Sequence, residues 1–385
     1  MLTEAEPIEL LMLPAMSDKS PFGLDEWLVF LQGKKFPVNS DNLMRLKNQI
    51  KSPDETLDHL QKNIHSEPLL AFVILSEANR IVANKRTDIK TPTHAASMVG
   101  MNGLAKLLHR LLPCHFSRKN QTHQDFQRQI QISYEAASIA QRWAFEKRAN
   151  NPEDIFWITF FRDAIRWMMW FYAHEQMQAM TDKLKRGHSS KSAEESILGC
   201  RLDALTVKLF QLWQIPLVII NTFLTDHIPT PKELQLLASL APDPDQIPGY
   251  TEDKRLTILA NSPLLLAFCA TKVAHDANNI GWGAKNLKLY YQIIACVLHC
   301  RQGRVIQATH FATVEAANLY SHSEKIPIAC QLLSPTLYLD SQKSAEKTVT
   351  DSPLVWLQKR AADKKVDSKQ LIKDTLKALK STISN

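Results

Sequence analysis

Thirteen histidines and six cysteines are spread along 385 residues. The tightest grouping is Cys296-Val297-Leu298-His299-Cys300, two thiols one helical turn apart with an imidazole beside the second. Two thiolates at that spacing can fill two corners of a zinc tetrahedron, but two more ligands must come from elsewhere. No CxxC pair occurs, so Cys114, Cys200, Cys269, Cys296, Cys300 and Cys330 read as free, mostly buried thiols. HExxH, GxSxG and P-loop patterns are absent. Asn278-Asn279-Ile280-Gly281-Trp282-Gly283 has two glycines without a preceding strand, which favours an interhelical turn over a phosphate loop. The Trp and Phe series from Trp143 to Tyr172 could stack on bases, but its helical spacing assigns it to a core.

The elements that must carry these residues are helical. Only ten glycines occur in the chain, far below the usual level of about 7%. Helix starts are frequent: Ser52-Pro53-Asp54-Glu55 and Thr230-Pro231-Lys232-Glu233 are capping boxes with proline at the first helical position. Apolar spacing predicts helices over 129–148, 155–171, 202–213, 216–225, 263–278, 285–301 and 304–320, with 116–128 and 183–191 as loops. No stretch alternates with period two, so no strand is predicted. The aromatic segment 155–171, apolar nearly all round, should be the most buried helix. The expected fold is all-α.

Charge is uneven. The formal net charge is +7, and residues 340–385 hold ten basic against six acidic side chains. Such a tail can meet an anionic partner, but it reads first as a solvated segment, and nucleic acid is not favoured. No apolar run reaches the roughly 18 residues of a membrane helix. The opening Met1-Leu2-Thr3-Glu4-Ala5-Glu6 is acidic where a secretion signal is basic. A cytoplasmic protein with no membrane contact is expected.

From Phe36 to His227 the order of motifs resembles the HDOD domain, a helical module of bacterial signalling proteins related to HD-type metal phosphohydrolases. Ser66-Glu67-Pro68-Leu69-Leu70 and Ser76-Glu77-Ala78-Asn79 come first, then Ala95-Ala96-Ser97-Met98-Val99-Gly100-Met101. Phe160-Phe161-Arg162-Asp163-Ala164-Ile165 follows where relatives read Leu-Leu-His-Asp-Ile-Gly, and Leu198-Gly199 precedes Leu212-Trp213-Gln214-Ile215-Pro216. The resemblance implies an HDOD-like helical domain at 37–228; breaks, helical patterns and charge around it predict an N-terminal extension at 1–36, a helical C-terminal region at 229–340 and a basic helical tail at 341–385.

The resemblance also locates a vestigial HD pocket at Ile132, Arg162, Asp163, Leu202 and His227. HD enzymes use His and Asp side chains to hold metal ions that activate water. Here Ile132, Arg162 and Leu202 stand at ligand positions, and only Asp163 and His227 retain suitable atoms. Arginine donates only, so it cannot ligate a cation. Arg162 either snorkels to the rim or, if buried, pairs with Glu135, Asp163 or Asp203. The expected function is non-catalytic: a regulatory protein acting through protein partners, with no metal, cofactor or catalytic residue. The alternatives are binding of a nucleotide or other small anion, using Arg162 with Lys183, Lys185 and Arg186, and an unconventional phosphohydrolase.

Overall fold

The 26-residue helix Gln121–Glu146 organises the molecule because its apolar residues form two stripes. Phe126, Ile130, Tyr134 and Ala137 face one hydrophobic cluster, while Ile132, Ala136, Ile139, Ala140 and Trp143 face another. Both sets recur at helical spacing, so a single helix is buried from two sides. The structure, a computed structural model, describes residues 20–52, 56–82, 88–240, 251–320 and 327–332. The chain divides into residues 1–330 and residues 331–385, and of the second unit only Gln331 and Leu332 are described.

In chain order the helices are α1 (Leu24–Gln32), α2 (Ser40–Lys51), α3 (Leu57–Ser66), α4 (Pro68–Val82), α5 (Pro92–Leu107), α6 (Gln121–Glu146), α7 (Pro152–Phe161) and α8 (Ala164–Tyr172). There follow α9 (His174–Lys185), α10 (Ser190–Leu198), α11 (Leu202–Leu212), α12 (Leu217–Ile220), α13 (Pro231–Ser239), α14 (Lys254–Asn261), α15 (Pro263–Asn279), α16 (Lys285–Leu298) and α17 (Gln302–Leu319). Helices α7 and α8 pack on one side of α6; α15 and α17 cover another. The all-α expectation holds, with one addition. Phe36–Asn39 (β1) and Leu111–Cys114 (β2) pair in parallel, Phe36 opposite Leu111 and Asn39 opposite Cys114. Four-residue strands are too short to display alternation, and Phe36, Pro37 and Val38 are all buried.

Local chemistry moves several predicted boundaries. Helix α6 begins at Gln121 because the Asn120 side chain accepts the His123 N–H, so polar 121–128 is helical and not loop. Lys183 and Lys185 belong to the last turn of α9, and Ser189 caps α10. The segment 216–225 yields only the short α12 and a 3-10 turn over Asn221–Phe223. Thr230 and Glu233 form the expected reciprocal capping box of α13. Helix α16 stops at Leu298 in a left-handed His299 (φ 48°), so Cys300 leaves the helix and the Cys296–Cys300 spacing is not that of one turn. All six thiols are free, but only Cys269 and Cys296 are buried and Cys330 is exposed, fewer than expected.

Among the described residues no single helix is long and apolar enough to cross a membrane. Residues 1–19, the Pro53–Glu55 part of the first capping box, the loop at 241–250 and the basic tail at 341–385 lie outside the described residues.

Candidate functional site at the Arg162–Asp163 helix break

The aromatic segment is two helices, not one. Helix α7 ends at Phe161, Arg162 and Asp163 form the junction, and α8 starts at Ala164. Every residue from Ile155 to Phe161 is buried, as are Ala164, Ile165 and Trp167 to Trp170. The interruption therefore sets two ionisable side chains inside an apolar environment, where each requires partners.

Asp163 finds them on three elements. His275 of α15 places Nε2 2.7 Å from Asp163 Oδ2, and because the carboxylate only accepts, that nitrogen carries the proton. Ser133 of α6 lies 3.3 Å from the same oxygen, and its hydroxyl accepts the Trp167 indole N–H at 2.9 Å. Arg166 adds a cation 3.7 Å from Oδ1. Burial alone would raise the Asp163 pKa; the His275 contact, followed by Arg166 and Arg162, overcomes it and holds the group well below the usual carboxylate range.

Arg162 is 6% exposed, so it does not lie at the rim. Among the described residues its hydrogen bonds go to Thr222, from Nε to the hydroxyl and from Nη2 to the carbonyl, both 3.2 Å. Its guanidinium also lies over the Phe223 and Phe268 rings, 4.6 and 5.5 Å from their centroids. Burial pushes its pKa down, while Asp203 and Asp163 oppose that through space. The expected direct carboxylate partner is thus replaced by a neutral threonine and two rings. Glu135 is engaged elsewhere: it accepts from Asn278 at 2.5 Å, from Gln131 at 3.3 Å and from the Ile328 N–H at 3.4 Å. Arg128 bonds Asn278 and faces Glu135, whose pKa burial raises. Asn278 and Asn279 form the last turn of α15, where Asn278 joins this polar network, and the rest of the segment with Gly281 and Gly283 is the expected interhelical turn before α16.

Of the five pocket residues, Arg162 and Asp163 adjoin at the junction, and Ile132 of α6 and Leu202 of α11 are buried apolar residues. His227 is exposed on a turn, with its N–H bonded to the Leu224 carbonyl. Arg162 is buried, while Lys185 and Arg186 are exposed at the C-terminal end of α9 and Lys183 donates to Ser196 at 2.7 Å. Cations there complement the helix carbonyls. His275, Asn278 and Thr222 were not found from sequence, because nothing in their spacing marks them as partners of residues far along the chain.

The HDOD domain profile matches residues 36–229, half of the chain. The chain belongs to the HDOD domain family. Among solved structures, the MmoQ response regulator of Methylococcus capsulatus str. Bath is 17% identical with a TM-score of 0.48, covering 72% of this chain and 98% of that one. An HDOD domain protein of unknown function from Geobacter sulfurreducens is 13% identical with a TM-score of 0.39, covering 77% of this chain and 98% of its own. No curated protein matches the chain. The HDOD match ends at residue 229, yet α15 beyond it supplies His275 and Asn278 to residues inside it.

The metal that HD-type relatives use does not fit the side chains gathered here. Among the described residues no three His, Cys, Asp or Glu groups converge to hold a metal ion. The donors next to Asp163 are one imidazole, already bonded to it, and one hydroxyl, and its other neighbours are the cations Arg162 and Arg166. Arg166, 3.7 Å from Asp163 Oδ1, opposes a divalent cation at that carboxylate.

Proposed function

We propose that the protein is a non-catalytic regulatory HDOD protein that acts by contact with a protein partner. The observation that supports this most is the engagement of Asp163. Its Oδ2 is taken by His275 and Ser133 and its Oδ1 faces Arg166, so the carboxylate is paired with side chains of its own chain. The Ile132, Arg162 and Leu202 side chains at the other ligand positions support the same reading, since none can donate a lone pair to a metal. The protein carries no cofactor of its own on this reading, and its output is a binding event in the cytoplasm.

The test is a turnover assay on the full chain, with Mn, Mg, Zn and Fe supplied separately, against phosphodiesters and nucleotides. No metal-dependent hydrolysis is expected. Turnover that depends on added metal and vanishes in Asp163→Ala overturns the proposal and makes the site an enzyme.

A further inference from the structure

Among the described residues five carboxylates are buried: Glu67, Asp125, Glu135, Asp163 and Glu194. Four of them stand beside a basic side chain. Asp125 faces His174, Glu135 faces Arg128, Asp163 faces His275 and Arg166, and Glu194 faces Arg201. Glu67 is the exception. Among the described residues no cation acts on it, and its partners are the Asn39 N–H at 3.2 Å and the Asn42 side-chain amide, both neutral. Each carboxylate oxygen takes one of these donors and keeps a further lone pair.

The exception lies on a cavity. Glu67 lines it where β1, the α3–α4 junction, α6 and the C-terminal end of α17 converge. The cavity measures about 350 Å³ counted to its open mouth, and its enclosed part admits one water-sized group. Phe116, Phe126, Ile130 and Tyr320 line the rest. Phe116 stacks on Phe126 at 5.3 Å and Tyr320 on Tyr134 at 5.0 Å, which fixes the rings in place. Ser66 and Phe116 are half-buried, so the cavity reaches solvent beside them. A buried carboxylate without a counter-charge is costly, and aromatic rings attract cations. Size and lining then select the kind of cation. A primary ammonium group is as large as a water and brings three donors. A quaternary headgroup exceeds the enclosed space. A bare metal ion requires several oxygen ligands, which these rings do not supply.

We propose that this cavity binds a primary ammonium group, its N–H donors on the Glu67 carboxylate and its alkyl stem along Phe116 and Ile130. A free alkylamine and the lysine side chain of a protein partner share this chemistry, and the experiment separates them. Ionised Glu67 is the binding form. The titratable groups that act on it are Tyr134 and Tyr320, and burial pushes both up so that they stay neutral. The nearby imidazoles turn elsewhere: His65 to Thr93 and Trp157, and His123 to the Ser117 N–H.

The experiment is calorimetric titration of n-butylammonium chloride into the full chain at pH 8. Saturable binding at one site is expected, weakened about tenfold or more in Glu67→Gln. Glu195→Gln, at an exposed acid of α10, should change nothing. Wild-type affinity should also fall about tenfold or more at pH 5.5, where Glu67 is protonated and the ligand stays charged. This arm holds even if the Glu67 variant fails to fold. Tetramethylammonium should not bind. A peptide with one lysine, measured against its norleucine analogue, identifies the source. Binding that depends on the lysine assigns the site to a partner's side chain, and binding of butylammonium alone assigns it to a free amine. No saturable binding, equal binding of tetramethylammonium, or affinity indifferent to both Glu67→Gln and pH overturns the site. None of these outcomes touches the regulatory function, which falls on metal-dependent turnover.

Discussion

Asp163 and His275 stand 112 positions apart and share a hydrogen bond of 2.7 Å. The first sits inside the HDOD match and the second beyond its end. This bond ties the helix break of the family module to α15, and the surrounding burial makes the tie consequential for stability.

Removing the imidazole should therefore be expensive. In His275→Ala the buried Asp163 keeps Ser133 and Arg166 but loses its nearest donor, and the expected loss is about 2–3 kcal/mol in urea denaturation. The Asp163 pKa is lowered in the fold, so its stabilisation is present above the ordinary carboxylate value of about 3.9 and lost as pH falls below it. Asp163→Asn should flatten that acid limb; an unchanged limb would show that another carboxylate governs it.

Glu67 should act in the opposite direction. It accepts from the Asn39 N–H at 3.2 Å and from the Asn42 side chain. Burial pushes its pKa up to about 7, against the pull of those two hydrogen bonds. The folded state holds this proton more tightly than the unfolded chain does. Its contribution is complete below about 4.5, the unperturbed value, and is lost as pH rises through 7, with an upper size of about 3 kcal/mol. Thermal melts from pH 5 to pH 8 should show a decline that Glu67→Gln removes, and equal slopes in the two proteins would contradict it.

Gly199 is a position where only glycine fits. It closes α10 with φ 72°, and an added Cβ would come within 2.6 Å of the Gly23 backbone nitrogen. That same nitrogen donates to the Leu198 carbonyl at 2.7 Å, and the Trp27 indole donates to it at 3.0 Å. Gly199→Ala combines left-handed strain of about 1–2 kcal/mol with a backbone clash that displaces α1. A lowered denaturation midpoint and increased Trp27 exposure, read by fluorescence quenching, are expected.

A fragment ending at residue 229 should not behave as an autonomous domain. It would uncover the α6 stripe of Ile132, Ala136, Ile139 and Trp143, which α15 and its neighbours bury. Trp143 would also lose the bond from its indole to the Thr309 hydroxyl, 3.1 Å and buried. Aggregation of residues 1–229 on expression is expected. A soluble monomer with native near-ultraviolet circular dichroism would show that α6 needs no cover.

Helix content, the Thr230–Glu233 cap, the buried aromatic segment and the ordered HDOD motifs were legible in the sequence. Caps and periodicity act over a few residues, so they leave their mark locally. The interruption at Arg162–Asp163 left no such mark, because neither glycine nor proline stands there and its cause is what the two side chains meet in space. The same holds for Arg162 turning to Thr222, for Asn278 reaching Glu135, and for the pairing of β1 with β2. His275 is one of thirteen histidines, and only packing of α15 on α6 singles it out. A buried charge constrains its partners in kind, as donor or acceptor; which donor arrives is decided by the fold that brings a distant helix alongside.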